Sequence, residues 1–201
     1  MAIQLIFNPT DQDLTSQSKM WGCPDLPDSL PYPVAQYEDE GETYDNPLTF
    51  ICQIRCEDIA ALDPEGLLPH TGMLYFFGEV DYFLGHREYY SPGMGEWSDN
   101  DFRVLYSPTT PDLHTHRLVD DEGNPLTRDA ERITFAACDD KEAGFKLLGH
   151  PFFDEIEEQY PGWRSLLQLD CNDDWNLQFY DCGMLCFLTD DKTVKCYLHS
   201  F

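Results

Sequence analysis

The sequence predicts an α+β fold that is dominated by strands, with a mixed or antiparallel sheet and few short helices. Two observations support this fold class. Short apolar runs rich in Phe, Ile, Leu and Tyr are bounded by Gly, Pro, Asp or Asn, which is typical of strands. Several of these runs also recur later in the chain in the same order. We therefore expect two copies of one strand-rich unit, related by a pseudo-twofold axis.

The first recurring segment contains a glutamine inside an apolar run. "TFICQIRCED" at 49–58 matches "RSLLQLDCND" at 164–173, so that Gln53 corresponds to Gln168. A strand residue in such a run is expected to be buried, and a buried amide must find hydrogen-bond partners. We interpret the two glutamines as structural residues of the repeat that join the backbones of the two halves near the pseudo-axis.

The second recurring segment begins with a glycine. "TGMLYFF" at 71–77 matches "CGMLCFL" at 182–188, which pairs Gly72 with Gly183. A glycine directly before a strand suits a tight turn in which φ is positive. We therefore predict that both glycines are structural residues of the repeat.

A weaker match, between "WGCPDLP" at 21–27 and "LGHPFF" at 148–153, extends the repeat upstream. The chain is accordingly interpreted as a single domain, 1–201, whose repeat copies cover approximately 21–80 and 148–201. The segment between them, 81–147, is interpreted as an irregular insertion because it is rich in Pro, Gly, acids and aromatics.

The remaining elements are predicted from shorter patterns. Further strands are expected at 2–7, 102–107, 132–137 and 193–199. Two short helices are expected: one at "CEDIAALD" (56–63), and one at "PFFDEIEEQY" (151–160), where Phe152, Ile156 and Tyr160 are four residues apart.

Charge is the strongest compositional signal. The chain of 201 residues has 38 Asp and Glu against 12 Lys and Arg, a formal net charge of −26. Such a surface repels nucleic acid and anionic membranes, so neither is expected as a partner. It attracts a basic protein and accelerates the encounter. The alternative interpretation is that the charge serves only solubility or salt tolerance.

The expected location is the cytoplasm. The N-terminal residues turn polar after Phe7, unlike a signal peptide, and about 18 consecutive apolar residues, as a membrane-spanning helix requires, do not occur. The eight cysteines are therefore expected to be reduced thiols.

No candidate catalytic or metal-binding motif in the sequence favours an enzyme. Asp170, Asp173 and Asp174 lack the alternating ligands and the glycine of a calcium loop. Cys52 and Cys56 are four residues apart on a predicted strand, which places them roughly 13 Å apart, too far to share one zinc ion. No nucleophile elbow, Walker loop or dinucleotide fingerprint is present. We expect no catalytic residues, no metal and no cofactor.

The predicted partner-binding surface lies in the acidic, aromatic part of 81–147. Buried aromatic anchors supply affinity and surrounding acids supply the rate and orientation of encounter. The alternative is that the rings, Phe83 among them, only cover the core beneath a loop. The predicted contact residues are Asp81, Tyr82, Glu88, Tyr89, Tyr90, Glu96, Trp97, Asp99 and Asp101.

From about residue 18 to its end, the chain resembles the YwqG-like family, bacterial proteins classed as a domain of unknown function. The resemblance rests on the order and spacing of "KMWGCPDLP", "PYP", "PLTFICQI", "LPHTGMLYFF", "FRVLYSP", "KLLGHPFF", "LLQLDCND" and "DCGMLCFL". The chain departs from the family pattern at Trp21-Gly22, where a Gly pair is usual, and at Tyr32-Pro33, where Trp-Pro is usual. It also has Phe179-Tyr180-Asp181 where Trp-Gly-Asp is usual.

The resemblance implies a duplicated strand-rich architecture and no established enzymatic activity. Some members resemble immunity proteins that neutralise antibacterial toxins by direct binding. We therefore expect a non-enzymatic immunity protein that occludes a cognate basic effector, plausibly a nuclease toxin. The alternative is a housekeeping domain that binds a small ligand or a metal in the cleft between the copies.

Overall fold

The computed structural model describes residues 1–39, 41–86, 90–110, 112–120 and 122–201. The predicted fold class is confirmed in outline, since the molecule is built mainly of antiparallel strands and has few short helices. The strands are β1 (Ala2–Pro9), β2 (Lys19–Met20), β3 (Asp25–Pro27), β4 (Val34–Asp39), β5 (Glu42–Pro47), β6 (Thr49–Arg55), β7 (Met73–Gly78), β8 (Gly95–Glu96), β9 (Phe102–Ser107), β10 (Leu113–Thr115), β11 (Glu131–Cys138), β12 (Lys146–Leu147), β13 (Arg164–Leu169), β14 (Met184–Thr189) and β15 (Val194–His199).

The four further strands expected from short patterns are confirmed as β1, β9, β11 and β15. The two helices are α1 (Cys56–Ile59), which continues into a short 3-10 helix (Ala60–Leu62), and α2 (Asp154–Gln159). Both predicted helices are confirmed, although they are shorter than expected. Helix α2 begins only at Asp154, because the backbone of Phe153 is extended.

The chain divides into two compact units. The N-terminal unit consists of Ile6–Gly78 and Arg103–Phe135, and the C-terminal unit consists of Met1–Leu5, Glu79–Phe102 and Ala136–Phe201. The segment 81–147, interpreted from the sequence as an irregular insertion, thus contributes to both units and contains strands β8 to β12.

In the N-terminal unit the strand order is β1, β11, β2, β6, β7, β9, and two small sheets pair β10 with β3 and β4 with β5. Strands β6 and β7 form an antiparallel pair in which Gln53 lies opposite Tyr75. Their large apolar side chains form the core of this unit because both strands are almost completely buried. The core cluster contains Leu26, Ala35, Leu48, Phe50, Met73, Tyr75 and Phe77.

In the C-terminal unit the order is β8, β15, β14, β13, β12, β1. Strands β13 and β14 are again an antiparallel pair, with Gln168 opposite Cys186. One side of β14 is covered by α2, whose Ile156 is fully buried. The cluster between them contains Phe153, Ile156, Tyr160, Met184, Cys186 and Leu188.

Gln53 is fully buried and its amide is fully hydrogen-bonded. Its Oε1 accepts from the backbone N–H of Asp25 at 2.9 Å, and its Nε2 donates to the Gln17 carbonyl at 2.9 Å and to Asp25 Oδ2 at 2.8 Å. These partners all belong to the N-terminal unit. The amide therefore fixes a loop of its own unit against β6, rather than joining the two halves as the sequence suggested.

Gln168 is bonded in the same manner in the C-terminal unit. Its Oε1 accepts from the Phe152 N–H at 2.9 Å, and its Nε2 donates to the carbonyls of Gly144 at 2.9 Å and Glu142 at 3.3 Å. Its side chain is also fully buried. Satisfying every polar group of a buried amide in this way avoids the cost of an unpaired donor or acceptor.

A lysine lies beside each glutamine on the adjacent strand. Lys19, on β2, lies opposite Gln53 in the strand register. Its buried ammonium forms an ion pair of 2.8 Å with Asp25 Oδ2. The other carboxylate oxygen of Asp25 accepts from Thr115 Oγ1 at 2.6 Å. Burial alone would raise the pKa of Asp25, but the hydrogen bonds from Lys19 and Thr115 and the charge of Lys19 outweigh it and lower that pKa.

The corresponding lysine of the C-terminal unit has different partners. Lys146, on β12, lies opposite Gln168 in the strand register and is fully buried. Its ammonium donates to the carbonyls of Asp140 and His150, both at 2.8 Å. The N–H that bonds the glutamine Oε1 comes from Phe152 in this unit and from Asp25 in the other. The C-terminal unit therefore has an apolar side chain at the position of the Asp25 carboxylate. Burial lowers the pKa of Lys146.

The two repeat glycines are required for different reasons. Gly72 has φ of +87°, as predicted, and a Cβ there would collide with the Ser107 carbonyl. The prediction of a positive φ is wrong for Gly183, because the left-handed residue is the preceding Cys182, with φ of 52°. Gly183 is needed instead because a Cβ would collide with the carbonyls of Phe179 and His199.

The eight cysteines are free thiols. Cys52 and Cys186 are fully buried, and burial raises their pKa, to about 12 for Cys186, so both behave as small apolar residues. Within the described residues, no helix has the length and apolar character needed to cross a membrane.

Candidate functional site

The candidate site is a surface pocket of about 330 Å³ in the C-terminal unit. Two loops build it: a turn that follows β7 and a longer loop between β13 and β14. The lining residues are Tyr82, Phe83, Gly85, Asn176, Gln178 and Tyr180.

The first loop is a compact series of turns. The Leu84 N–H donates to the Val80 carbonyl at 3.0 Å, and the His86 N–H donates to the Asp81 carbonyl at 2.8 Å. Gly85 has φ of +74°, and a Cβ there would lie 2.8 Å from Nδ2 of Asn176. A glycine at this position thus permits the close approach of the second loop.

The second loop begins with a capped 3-10 turn. Asn172 Oδ1 accepts from the Trp175 N–H at 3.1 Å at the start of the turn Asp173–Trp175. Asn176 ends the turn in the left-handed conformation, which asparagine tolerates better than most residues.

Two hydrogen bonds hold the loops together. The Gln178 N–H donates to the Phe83 carbonyl at 2.9 Å. Asn176 Nδ2 donates to the Leu84 carbonyl at 3.0 Å. The shape of the pocket is consequently fixed by hydrogen bonds between the two loops and does not depend on one flexible side chain.

The aromatic lining is organised around Phe83, which is only 3% exposed. The rings of Tyr82 and Tyr180 both stand nearly perpendicular to it, with centroids at 5.4 and 5.5 Å and interplanar angles of 87° and 86°. Trp97 stacks on Phe83 at 6.0 Å and is itself buried. Tyr82 and Tyr180 remain 39% and 43% exposed and supply the accessible aromatic surface.

Tyr180 has a strained backbone, with φ of 54°. The left-handed conformation costs a non-glycine residue about 1–2 kcal/mol. A large aromatic at such a position persists only where the surroundings hold it in place, and strain of this kind clusters at functional sites. The Tyr180 ring rests on Phe83, and its hydroxyl lies 3.3 Å from Ser91 Oγ.

A carboxylate contacts the lining of the pocket: Asp173 Oδ1 accepts from Gln178 Nε2 at 2.8 Å. Asp173 is exposed, and so is Asp181, the chain neighbour of Tyr180. A carboxylate beside accessible aromatic faces favours a positively charged ligand, because both the charge and the ring faces attract cations.

The residues predicted for partner binding fall into different environments. Tyr82 and Asp99 are exposed, whereas Asp81 and Tyr90 are half-buried. Trp97 is 1% exposed, and its Nε1 donates to the Gly93 carbonyl at 3.0 Å. The predicted residues Glu88 and Tyr89 lie outside the described residues.

Two predicted acids already have intramolecular partners. Glu96 accepts from Lys195 Nζ at 2.7 Å and from the Tyr160 hydroxyl at 2.5 Å, and these bonds lower its pKa. Asp101 is buried and accepts from the hydroxyls of Tyr90 and Ser98, both at 2.7 Å. Glu96 therefore fixes β8 against Lys195 and Tyr160, and Asp101 fixes the segment between β8 and β9.

Sequence reasoning missed Gly85, Asn176, Gln178 and Tyr180. Asn176, Gln178 and Tyr180 join the predicted surface only through the contact between two loops that are far apart in the chain, and Gly85 is the residue that permits this contact. The one available signal was Tyr180 itself, an aromatic in place of the glycine usual in the resembled family.

Among the described residues, no group of three or more His, Cys, Asp or Glu side chains could hold a metal ion. The lining of the pocket supplies aromatic faces and two side-chain amides, one of which contacts the carboxylate of Asp173.

Comparison with curated proteins finds no match. A family model does match the chain, over residues 18–133 and again over 109–196. Since these matches cover most of the chain, the protein belongs to the family described as Domain of unknown function (DUF1963).

Proposed function

We propose that this protein is a non-enzymatic binding module for a basic protein partner, and that the pocket between Tyr82 and Tyr180 belongs to the contact surface. One observation carries the proposal: two exposed aromatic rings line a pocket in which Gln178 is hydrogen-bonded to the exposed carboxylate of Asp173. Rigid aromatic rings are favourable interface anchors because they bury a large area at small conformational cost.

The net charge of −26 supports a basic partner. Complementary charge accelerates encounter and orients the partner, and salt weakens both effects. An immunity protein that occludes a basic toxin, such as a nuclease, is the most specific form of this proposal. It also agrees with the resemblance to YwqG-like proteins, which we propose as the closer assignment within the DUF1963 family.

We also propose that the two units descend from one duplicated sequence. In each unit a buried glutamine lies opposite a lysine on the adjacent strand, and a register shift occurs at the corresponding place, Phe50/Cys52 and Ser165/Leu167. Each lysine is also followed two residues later by a left-handed residue, Trp21 or Leu148.

The test is a binding measurement with the product of a neighbouring gene that encodes a toxin with a basic C-terminal domain. We expect binding that weakens as salt rises, and that weakens further when Asp99 and Asp181 are both replaced by lysine. The matched control replaces two exposed acids of the β4–β5 hairpin, Glu38 and Glu42, by lysine, which changes the net charge equally.

Equal loss of affinity in the two double variants would show that only net charge matters and would contradict the proposed surface. Binding that neither salt nor the Asp99 and Asp181 replacements change would contradict an electrostatic contact altogether. Stoichiometric binding of a co-purified small molecule in the pocket, without protein binding, would favour the housekeeping alternative.

A further inference from the structure

We infer that the pocket between Tyr82 and Tyr180 binds one arginine side chain of the partner, with its guanidinium against the aromatic lining. The inference rests on the proposed function, because it names the group that the surface recognises. Three features of the described residues support it: the aromatic lining, the orientation of two amides and the charge of Asp173.

The aromatic lining suits a flat cation. Tyr82 and Tyr180 are partly exposed and both stand nearly perpendicular to the buried ring of Phe83, so two accessible aromatic rings line the pocket. Arginine is the cation that stacks most often on aromatic faces, because its guanidinium is planar, delocalised and more weakly hydrated than an ammonium group.

The two amides of the lining present acceptors. Nδ2 of Asn176 donates to the Leu84 carbonyl, and Nε2 of Gln178 donates to the Asp173 carboxylate. Because a carbonyl and a carboxylate can only accept, these contacts settle which amide atom is the nitrogen. In the part of the chain that the structure describes, Oδ1 of Asn176 and Oε1 of Gln178 have no hydrogen-bond donor.

Two accessible amide oxygens favour a ligand with several N–H donors. A guanidinium carries five such donors in a fixed planar arrangement, whereas a quaternary ammonium carries none. A ligand that relied on the aromatic faces alone would gain nothing from Asn176 and Gln178. The amide orientation therefore distinguishes arginine from trimethylated lysine.

The charge of Asp173 favours a cation over a neutral ligand. Its carboxylate is exposed and is hydrogen-bonded to the lining residue Gln178 at 2.8 Å. Because the screening length at physiological salt is about 8 Å, this carboxylate attracts a guanidinium that enters the pocket.

Because the backbone of Tyr180 is left-handed, replacing this residue by glycine tests the ring without straining the loop. Glycine adopts φ of 54° without strain, so Tyr180→Gly removes the ring and leaves the loop in a favoured conformation. The matched control is Tyr44→Ala, which removes a tyrosine that is 51% exposed on the β4–β5 hairpin.

The probe is an acetylated and amidated peptide with one arginine between glycines, titrated into the full-length protein and followed by NMR. We expect shifts at the side-chain amides of Asn176 and Gln178, and about tenfold weaker binding to Tyr180→Gly. Binding to Tyr44→Ala should equal that of the wild type. The same peptide with citrulline, a neutral isostere of arginine, should bind at least about tenfold more weakly.

Four results would overturn the inference: no binding of the arginine peptide, equal binding of the citrulline peptide, tighter binding of a trimethyllysine peptide, or unchanged binding to Tyr180→Gly. Binding of the basic protein itself separates these results from failure of the proposed function. If the basic protein still binds and responds to the Asp99 and Asp181 replacements, while the arginine peptide does not bind, the arginine pocket is wrong and the proposed partner class stands.

Discussion

Lys19 and Lys146 occupy the same place in the two units but have different electrostatic partners. Lys19 neutralises the buried carboxylate of Asp25, whereas the ammonium of Lys146 is held by two backbone carbonyls. Removing one member of a buried ion pair leaves an uncompensated charge, which is costlier than leaving two backbone carbonyls without a donor. The two lysines should therefore contribute unequally to stability.

We predict that Lys19→Met lowers the free energy of unfolding by about 3–5 kcal/mol. Lys146→Met should lower it by about 1–3 kcal/mol, because only the carbonyls of Asp140 and His150 lose a donor. Urea unfolding followed by circular dichroism measures both values. Adding Asp25→Asn to Lys19→Met should restore part of the loss, and equal losses in the two single variants would contradict this explanation.

The short turns before β7 and β14 each need a glycine, but for different physical reasons. Both turns contain a glycine that allows a close backbone approach, but only Gly72 also needs a positive φ. The pattern of glycine followed by an apolar run predicted both strands correctly. It could not distinguish conformational strain from steric contact, because the colliding carbonyls belong to residues outside the repeated segment.

Substitutions by alanine can separate these two causes. Gly66 has φ of +66° and open space around it, so Gly66→Ala should cost about 1 kcal/mol from strain alone. Gly183→Ala should cost about 1–3 kcal/mol from overpacking, and Gly72→Ala should cost about 2–5 kcal/mol because both effects add. Thermal unfolding measures all three. A cost for Gly183→Ala no larger than that for Gly66→Ala would contradict the steric explanation.

The recurring segments predicted the burial of the two glutamines but not their hydrogen-bond partners. Their burial follows from their place in apolar runs, and both are indeed buried. Their partners could not be predicted, because Gln17, Gly144 and Phe152 lie in loops, and Asp25 in the short strand β3, whose paths no local pattern specifies.

For the whole molecule, the net charge of −26 has two opposite consequences. Repulsion among the acids opposes the compact state, and the same field attracts a basic partner. Raising ionic strength from 0.01 to 0.15 M shortens the screening length from about 30 to about 8 Å. Salt should consequently stabilise the fold and weaken the proposed complex.

We predict that the melting temperature rises over this salt range. A gain of about 1 kcal/mol corresponds to roughly 2–4 °C for a chain of this size. Scanning calorimetry in sodium chloride tests the prediction, with potassium chloride as a control for specific ion effects. An unchanged or falling melting temperature would show that the acids are spaced or paired well enough to cancel their repulsion.

The amino-acid sequence by itself determined the strand-dominated fold class, the positions of the main strands and both helices, and the acidic character of the surface. These properties depend on local periodicity and on summed charge, which can be read along the chain. Only the tertiary structure decided the candidate site. It brings the Tyr82 loop and the Tyr180 loop together, and it buries Trp97 and Asp101 while leaving Tyr82 and Tyr180 accessible. The physical reason is that exposure and hydrogen-bond partners depend on contacts between segments far apart in sequence.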